Sequence, residues 1–510
     1  MSPPLPLEMS PVVLPEDEFN KTLVENVHPP GWINPKPAGR YNLIVIGAGT
    51  AGLVAAAGAA GLGARVALVE RQFMGGDCLN FGCVPSKALI RSARAAYAVR
   101  EARAFGVGAT VERTDFAEAM RRLRRVRAEI SVHDSAQRFS KLGVDVYLGD
   151  AHFVSRNAVE VVGERLEFSK AIIATGARAA SLPVPGLQEA GYLTNETVFS
   201  LTELPRRLIV IGAGPVGCEL AQAFSRLGSQ VSMLSDSATI LPREDTDAST
   251  ILHRQLESEG IAMFFDVQIR RVEGMSTGKC LVFDRGQGAE QVTGDEILVA
   301  AGRTPNVDGL GLEAAGVKYQ SKGVTVDDCL RTSNPNIYAA GDIASRYQFT
   351  HAAEALGRIA LQNALFFGHK RASDLVIPWC TYTDPEIAHV GTYEREAREK
   401  GIDFETFTLP FADNDRAVVD GDTSGFARVL ADKKSGVVLG ATIVSRHAGE
   451  SIGELVLAIQ RKMKLRDLGA VIHPYPTQAE IIKRLGDASM KSRLKPWMKD
   501  LLVKFFQWCR

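Results

Sequence analysis

No apolar run in the 510-residue sequence reaches the roughly 18 residues needed to span a bilayer, so no transmembrane helix is expected. Cysteine is scarce: seven residues are too few for a disulfide scaffold. A surplus of either charge is missing too, because 59 Lys and Arg face 59 Asp and Glu. Phosphate backbones demand a basic surplus, so a dedicated nucleic-acid binder is excluded. Residues 1–20 show neither a basic start nor an apolar stretch. They do not read as a secretory signal, and a reducing cytoplasm is the expected compartment.

The apolar and charged fractions, 45% and 23%, are ordinary and rule out wholesale disorder. Residues 1–40 are Pro-rich and aperiodic, and read as an irregular arm. From Tyr41 the pattern changes to apolar run, Gly-rich turn, Ala-rich helix and second apolar run ending at Glu70. The same grammar returns around Leu208–Ile211, so two nucleotide-binding α/β domains are expected in one chain. Asp115–Lys141 between them reads as a long charged helix with exposed arginines. Beyond Pro378, short β-like runs precede helical stretches, an α+β layout.

The first turn carries Gly47-x-Gly49-x-x-Gly52, with Thr50 and Ala51 inside it. Such glycines let a pyrophosphate approach a helix N-terminus, where free N–H groups favour an anion. Glu70, at the end of the second strand, suits ribose hydroxyls. The second turn carries Gly212-x-Gly214-Pro215-Val216-Gly217, and its following strand ends at Ser235-Asp236. No Lys or Arg follows until Arg243, which favours NADH over NADPH. Asp236 can also be read as a solvated turn residue.

The segment with the most specific chemistry runs from Gly75 through Gly76, Asp77 and Cys78 to Cys83 and Lys87. A Cys-x-x-x-x-Cys pair opening a helix can close a disulfide across one turn. A helix N-terminus and a nearby cation lower the thiol pKa. Half a zinc site is the competing reading, but no second ligand pair with zinc spacing exists, and no metal site is expected.

This segment resembles the redox motif of the flavin-dependent pyridine nucleotide–disulfide oxidoreductases. That family includes glutathione reductase, dihydrolipoamide dehydrogenase and mercuric reductase. The resemblance covers about Tyr41 to Leu485. Further matches are Ala174-Thr175-Gly176, Ala301-Gly302-Arg303, the segment ending Gly341-Asp342, and Thr350-His351-Ala352. The resemblance implies two Rossmann-like dinucleotide-binding domains plus a C-terminal α+β dimerisation domain. It divides the chain into an arm (1–40), an FAD-binding domain in two parts (41–190 and 306–375), an NAD(P)-binding domain (191–305), a dimerisation domain (376–488) and a basic tail (489–510).

It also implies one FAD per subunit and NADH or NADPH as donor. Electrons would pass to a Cys78–Cys83 disulfide and on to a small-molecule or metal-thiolate acceptor. Cys83 would lie against the flavin, Cys78 would face the substrate, and Lys87 and Glu219 would pair beside the flavin's reactive nitrogen. The FAD contacts would include Gly76, Asp77, Cys78, Lys87, Ala151, Ala174, Thr175, Gly176, Asp342, Thr350, His351 and Ala352. His351 itself reads as structural. Ala301, Gly302, Arg303 and Glu219 would join the nicotinamide site. A homodimer sharing each active site between subunits follows, with Tyr475 and Glu480 acting across it.

Departures from the family narrow the function. The C-terminal motif reads His473-Pro474-Tyr475-Pro476-Thr477, with Glu480 three residues on. Tyr475 occupies the place of the acid–base His of the disulfide reductases. A phenol is a poor base at neutral pH, so weak turnover of glutathione disulfide or lipoamide is expected. Mercuric reductases resemble this chain in having Tyr there. They also carry a C-terminal Cys-Cys pair, where this chain has Cys509 alone. The expected function is therefore a mercuric-reductase-like flavoenzyme. Rival readings are a true mercury(II) reductase, a dihydrolipoamide-dehydrogenase-like enzyme, and a non-enzymatic flavin redox sensor. Finally, Trp497, Leu501, Phe505 and Trp508 share one face of a helix opened by Pro496, within a tail of balance +5 over residues 491–510. Such a helix can lie on the inner membrane surface or pack in the dimer.

Overall fold

The computed structural model describes residues 13–37, 39–110, 114–286 and 288–510. It divides into two compact units, Met1–Ala238 with Gly260–Leu375, and Thr239–Glu259 with Val376–Arg510.

In the first unit a parallel sheet runs in the order Val144–Leu148, Val66–Glu70, Tyr41–Ile46, Glu164–Ile173. Ile337–Ala339 joins Glu164–Ile173 in parallel, so a late segment completes the early sheet. Helices and strands cover both faces, which is why Leu43, Ile44, Val45 and Leu68 are fully buried and the strands read as continuous apolar runs. A second parallel sheet orders Ala262–Phe264, Gln230–Leu234, Arg207–Ile211 and Glu296–Val299. A three-stranded antiparallel sheet, Gln268–Met275, Gly278–Asp284 and Ala289–Gly294, completes this unit's second domain.

The second unit is an antiparallel sheet ordered Trp379–Thr381, Glu386–Gly391, Val438–Ser445, Phe426–Asp432, Phe404–Pro410. Helices Ala448–Gln460 and Glu480–Ser492 supply Leu455, Ile481, Ile482 and Leu485 to its core. Thr239–Glu259, which the sequence places with the nicotinamide domain, groups with this sheet. Trp379 Nε1 and Tyr393 Oη donate to the Glu244 carboxylate at 2.7 and 2.6 Å, and Arg428 pairs with Asp245 at 3.2 Å.

Two expectations change. The arm is not irregular throughout: Glu18–Val27 is a helix capped by Asp17, whose side chain accepts from the Asn20 amide. Residues 1–12 lie outside the described residues. The Asp115–Lys141 stretch is broken into Phe116–Ser131, a 3-10 turn and Ala136–Lys141. Its arginines are not all exposed. Arg124 bonds to Asp17, while Arg127 is 2% exposed and donates to Asn20 Oδ1 at 2.6 Å and Asn80 O at 2.8 Å. The arm helix thus satisfies charges that a solvated helix face would have left to water.

Candidate active site

The two glycine turns are built alike. Gly47 (φ +100°) and Gly212 (φ +111°) end their strands in a conformation that L side chains avoid. A Cβ at Gly52 would sit 1.9 Å from Gly47 O, and one at Gly217 would sit 2.0 Å from Gly212 O. Each third glycine therefore lets its helix start directly on the strand end. Gly49 and Gly214 are N-cap residues without any side-chain cap, so the first N–H groups of helices Thr50–Gly61 and Pro215–Leu227 remain available to a pyrophosphate. Pro215 takes the first helical position, where its missing N–H costs nothing. Val216 and Asp236 are exposed, and Ser235 is buried at the end of its strand.

Glu70 is buried at the end of Val66–Glu70, accepting from Ala48 N at 2.7 Å and Gln72 N at 2.8 Å. Burial raises its pKa, partly opposed by those amide bonds. Ala174 packs beneath the first turn: its carbonyl oxygen would lie 2.4 Å from a Cβ at Gly47. Thr175 exchanges hydrogen bonds with Asn306, and Gly176 turns the chain at φ +67°. Gly76 abuts the same turn, since a Cβ there would meet Gly49 Cα at 2.6 Å. Ala151 opens the hairpin strand Ala151–Ser155, while Ala352 is buried in helix Thr350–Leu365.

Cys78 lies in the short helix Gly76–Asn80, and Cys83 opens helix Cys83–Glu101. Both are free thiols; Cys83 is exposed and Cys78 half-buried. The Cys83 thiol pKa is lowered to about 6. Its largest cause is the hydrogen bond from Cys78; Thr350 and the Lys87 charge lower it further, while burial opposes the shift. Thr350 Oγ1 lies 3.2 Å from Cys83 Sγ. Cys78 moves the opposite way, pushed up first by its bond to Cys83 and then by burial. The pair therefore holds one proton on Cys78 and a thiolate on Cys83.

Lys87, one turn further along the helix, donates to Glu219 Oε2 at 2.8 Å. Glu219 is 6% exposed on helix Pro215–Leu227. Removing one partner would leave the carboxylate buried without its counter-charge. This contact ties the redox helix to the second glycine turn's helix across 132 residues of sequence.

Arg303, grouped by sequence with the nicotinamide residues, reaches Asp77 and Asp342. Its guanidinium donates to Asp77 Oδ2 at 3.0 Å, lies 3.5 Å from Asp342 and reaches Ala177 O. Asn195 Nδ2 holds the other Asp77 oxygen at 2.9 Å. Burial pushes the Asp342 carboxyl up to about 6, against the pull of Arg303. Arg303 Nε is buried with no partner among the described residues. His351 stacks on Phe349, ring centroids 5.5 Å apart and nearly parallel.

In the C-terminal unit, Tyr475 is 70% exposed and its hydroxyl donates to Asp415 Oδ2 at 2.9 Å, not to Glu480. That bond raises the phenol pKa further above its ordinary value. Glu480 is the first residue of helix Glu480–Ser492. His473 is tied to Glu454 at 2.9 Å. Three contacts escaped sequence reasoning: that of Thr350, read from sequence as an FAD contact, with Cys83; that of Asn195 with Asp77; and that of Asp415 with Tyr475. Each joins residues far apart along the chain.

Two nucleotide-binding folds with a polarised dithiol beside them define a dithiol flavoenzyme site. Residues 41–357 match the model described as pyridine nucleotide-disulphide oxidoreductase, and residues 377–485 match its dimerisation domain. Mercuric reductase from Lysinibacillus sphaericus is 35% identical over 444 residues, 87% of this chain and 81% of that protein. Dihydrolipoyl dehydrogenase from Geobacillus stearothermophilus is 34% identical over 88% of this chain and 96% of its own. Among solved structures, a Cu(II) complex of a mutant of the HOCl-induced flavoprotein disulfide reductase RclA from Escherichia coli superposes with a TM-score of 0.80. It is 28% identical, over 90% of this chain and 100% of that one. LpdA from Mycobacterium tuberculosis also scores 0.80, at 27% identity over 88% and 99% of the two chains. The chain belongs to the pyridine nucleotide-disulphide oxidoreductase family.

Members of this family are FAD-dependent oxidoreductases that use NAD(P)H, and its dimerisation domain supports a homodimer here. The residues fit FAD: an uncapped helix start, a glycine cradle that a Cβ would fill, and the unpartnered Arg303 Nε. Among the described residues no helix is long and apolar enough to cross a membrane, and no cluster of His, Cys, Asp and Glu could hold a metal ion.

Proposed function

We propose that this oxidoreductase delivers electrons from NADH to a soft metal ion carried on small thiolates, in preference to a small organic disulfide. The observation that carries this reading is Tyr475. Cleaving an organic disulfide produces two thiols and needs an acid–base near neutrality. A phenol hydrogen-bonded to Asp415, with its pKa raised, is a poor acid–base near neutrality. Reducing a thiolate-bound soft cation needs less proton transfer, and thiolates are its natural ligands. Relatives named mercuric reductase, and a structural neighbour solved with Cu(II), support this class. Cys509 is the one cysteine of the tail, so further thiolates must arrive with the ion.

FAD, when bound, supplies the two-electron relay between nicotinamide and sulfur. Gly47, Gly49, Gly52, Glu70 and Asp342 would hold it, with Arg303 positioned by Asp77. Cys83 presents the thiolate and Cys78 keeps the proton. The Lys87–Glu219 pair fixes a cation near Cys83 that favours that charge. Gly212, Gly214 and Gly217 would receive the nicotinamide dinucleotide's pyrophosphate, and Asp236 disfavours a 2′-phosphate, hence NADH. Tyr475 and Glu480 would complete the partner's site in the dimer.

Steady-state oxidation of NADH and of NADPH with Hg(II)–thiol, Cu(II)–thiol, lipoamide and glutathione disulfide tests the reading. Higher kcat/KM for the metal thiolates, with NADH, is expected. Fast turnover of lipoamide or glutathione disulfide would overturn the argument from Tyr475.

A further inference from the structure

Pro496–Trp508 is a 13-residue helix in which no residue is buried. Its ring contacts are its own: Phe505 meets Phe506 at 5.6 Å and Trp508 at 6.5 Å. At about 100° per residue, Trp508, Trp497, Leu501, Phe505, Leu502 and Phe506 fall in one continuous arc of roughly half the helix. Lys499, Lys504, Asp500 and Gln507 fall in the other half. Trp497 and Trp508 are 61% and 83% exposed, an aromatic ring at each end of the apolar face. Residues 491–510 hold six Lys or Arg against Asp500. The family match ends at residue 485, so the helix lies beyond the matched domains.

We infer that this helix docks on an anionic lipid surface, apolar arc down and lysines at the headgroups. Three observations favour lipid over a second copy of the chain. Self-pairing about a two-fold axis would oppose the same lysines across the contact. The helix is only about 20 Å long at 1.5 Å per residue. One face of it offers on the order of a few hundred Å², short of the roughly 800 Å² per partner of a stable interface. The charge also matches: anionic lipid attracts each nearby Lys or Arg, by about fivefold in affinity per residue. Tryptophans at the ends of an apolar face suit the headgroup boundary.

The full-length FAD-loaded protein would be sedimented with vesicles of phosphatidylcholine alone and of phosphatidylcholine mixed with phosphatidylglycerol. Binding to the anionic vesicles only, weakened by salt, is expected, with a blue shift of tryptophan fluorescence. Two double variants separate the contributions. Lys499→Glu with Lys504→Glu should weaken partitioning by at least about tenfold, and Leu501→Glu with Phe505→Glu should abolish it, both with NADH oxidation unchanged. Failure to bind anionic vesicles overturns the inference. So does binding that survives Leu501→Glu with Phe505→Glu, or dissociation of the dimer by that variant in sedimentation velocity, which would assign the face to the partner subunit.

Discussion

Replacing Thr350 with valine removes one hydroxyl, 3.2 Å from Cys83 Sγ, and keeps the shape of the side chain. In the reduced protein that hydroxyl donates to a thiolate whose pKa is lowered to about 6. The bond from Cys78 is the larger cause and stays in place. A hydrogen bond to a charged group contributes about 1.5–3 kcal/mol, and one pKa unit corresponds to about 1.4 kcal/mol. The variant should therefore titrate about one to two units higher, between about 7 and 8. The sign follows from the charge: losing a donor penalises the anion, so the thiolate appears at higher pH. At pH 7 the thiolate fraction would fall from about nine-tenths to half or less. The pH dependence of iodoacetamide alkylation, mapped to Cys83 by mass spectrometry, reports this pKa, and thiolate ultraviolet absorbance provides an independent reading. Thr350→Ser keeps the hydroxyl and should keep the low value. An unchanged pKa in the valine variant, or a raised one in both variants, would refute the assignment.

Tyr475→His should restore an acid–base near neutrality and raise lipoamide or glutathione disulfide turnover by about tenfold to a hundredfold; no gain would mean that acceptor choice lies elsewhere. Gly217→Ala places a Cβ 2.0 Å from Gly212 O, so NADH binding should weaken by about a hundredfold while the flavin absorbance stays, as titration of NADH into the oxidised protein would show. Asn20→Ala leaves one Arg127 donor buried without its acceptor. It should lower stability by about 1–3 kcal/mol in urea unfolding, and an unchanged midpoint would show that water takes the amide's place.

Local patterns made much of this molecule legible. Both strand–glycine–helix turns announce themselves because a pyrophosphate needs an uncapped helix N-terminus and a third glycine that lets the helix meet the strand. Those demands act on neighbouring residues, so they leave a mark within six positions. The same holds for Cys78 and Cys83, five positions apart although the structure sets them in two successive helices, and for the aromatic arc of Pro496–Trp508. Strand Glu386–Gly391 went unread, since its buried His389 and Glu386 break the apolar pattern, His389 bonding to Thr442 of the neighbouring strand and Glu386 accepting from Gly449 N of helix Ala448–Gln460. The buried arginines were likewise misread. Arg127 looks like any solvated helix charge until the arm helix brings Asn20 against it.

The sequence by itself determined the two dinucleotide folds, the thiol pair and the tyrosine where the disulfide reductases keep histidine. Only the tertiary structure decided which thiol is charged. Cys78 and Cys83 are chemically identical, and the asymmetry comes first from the hydrogen bond between them and then from Lys87, steadied by Glu219, whose charge favours the Cys83 thiolate; the Thr350 hydroxyl, 267 residues away from Cys83, adds to it. It also decided that Arg303 serves Asp77 and Asp342 and that Tyr475 answers to Asp415. The physical reason is common to all three. A hydrogen bond or a nearby charge acts through a few ångströms of space, and a sequence records distance only along the chain.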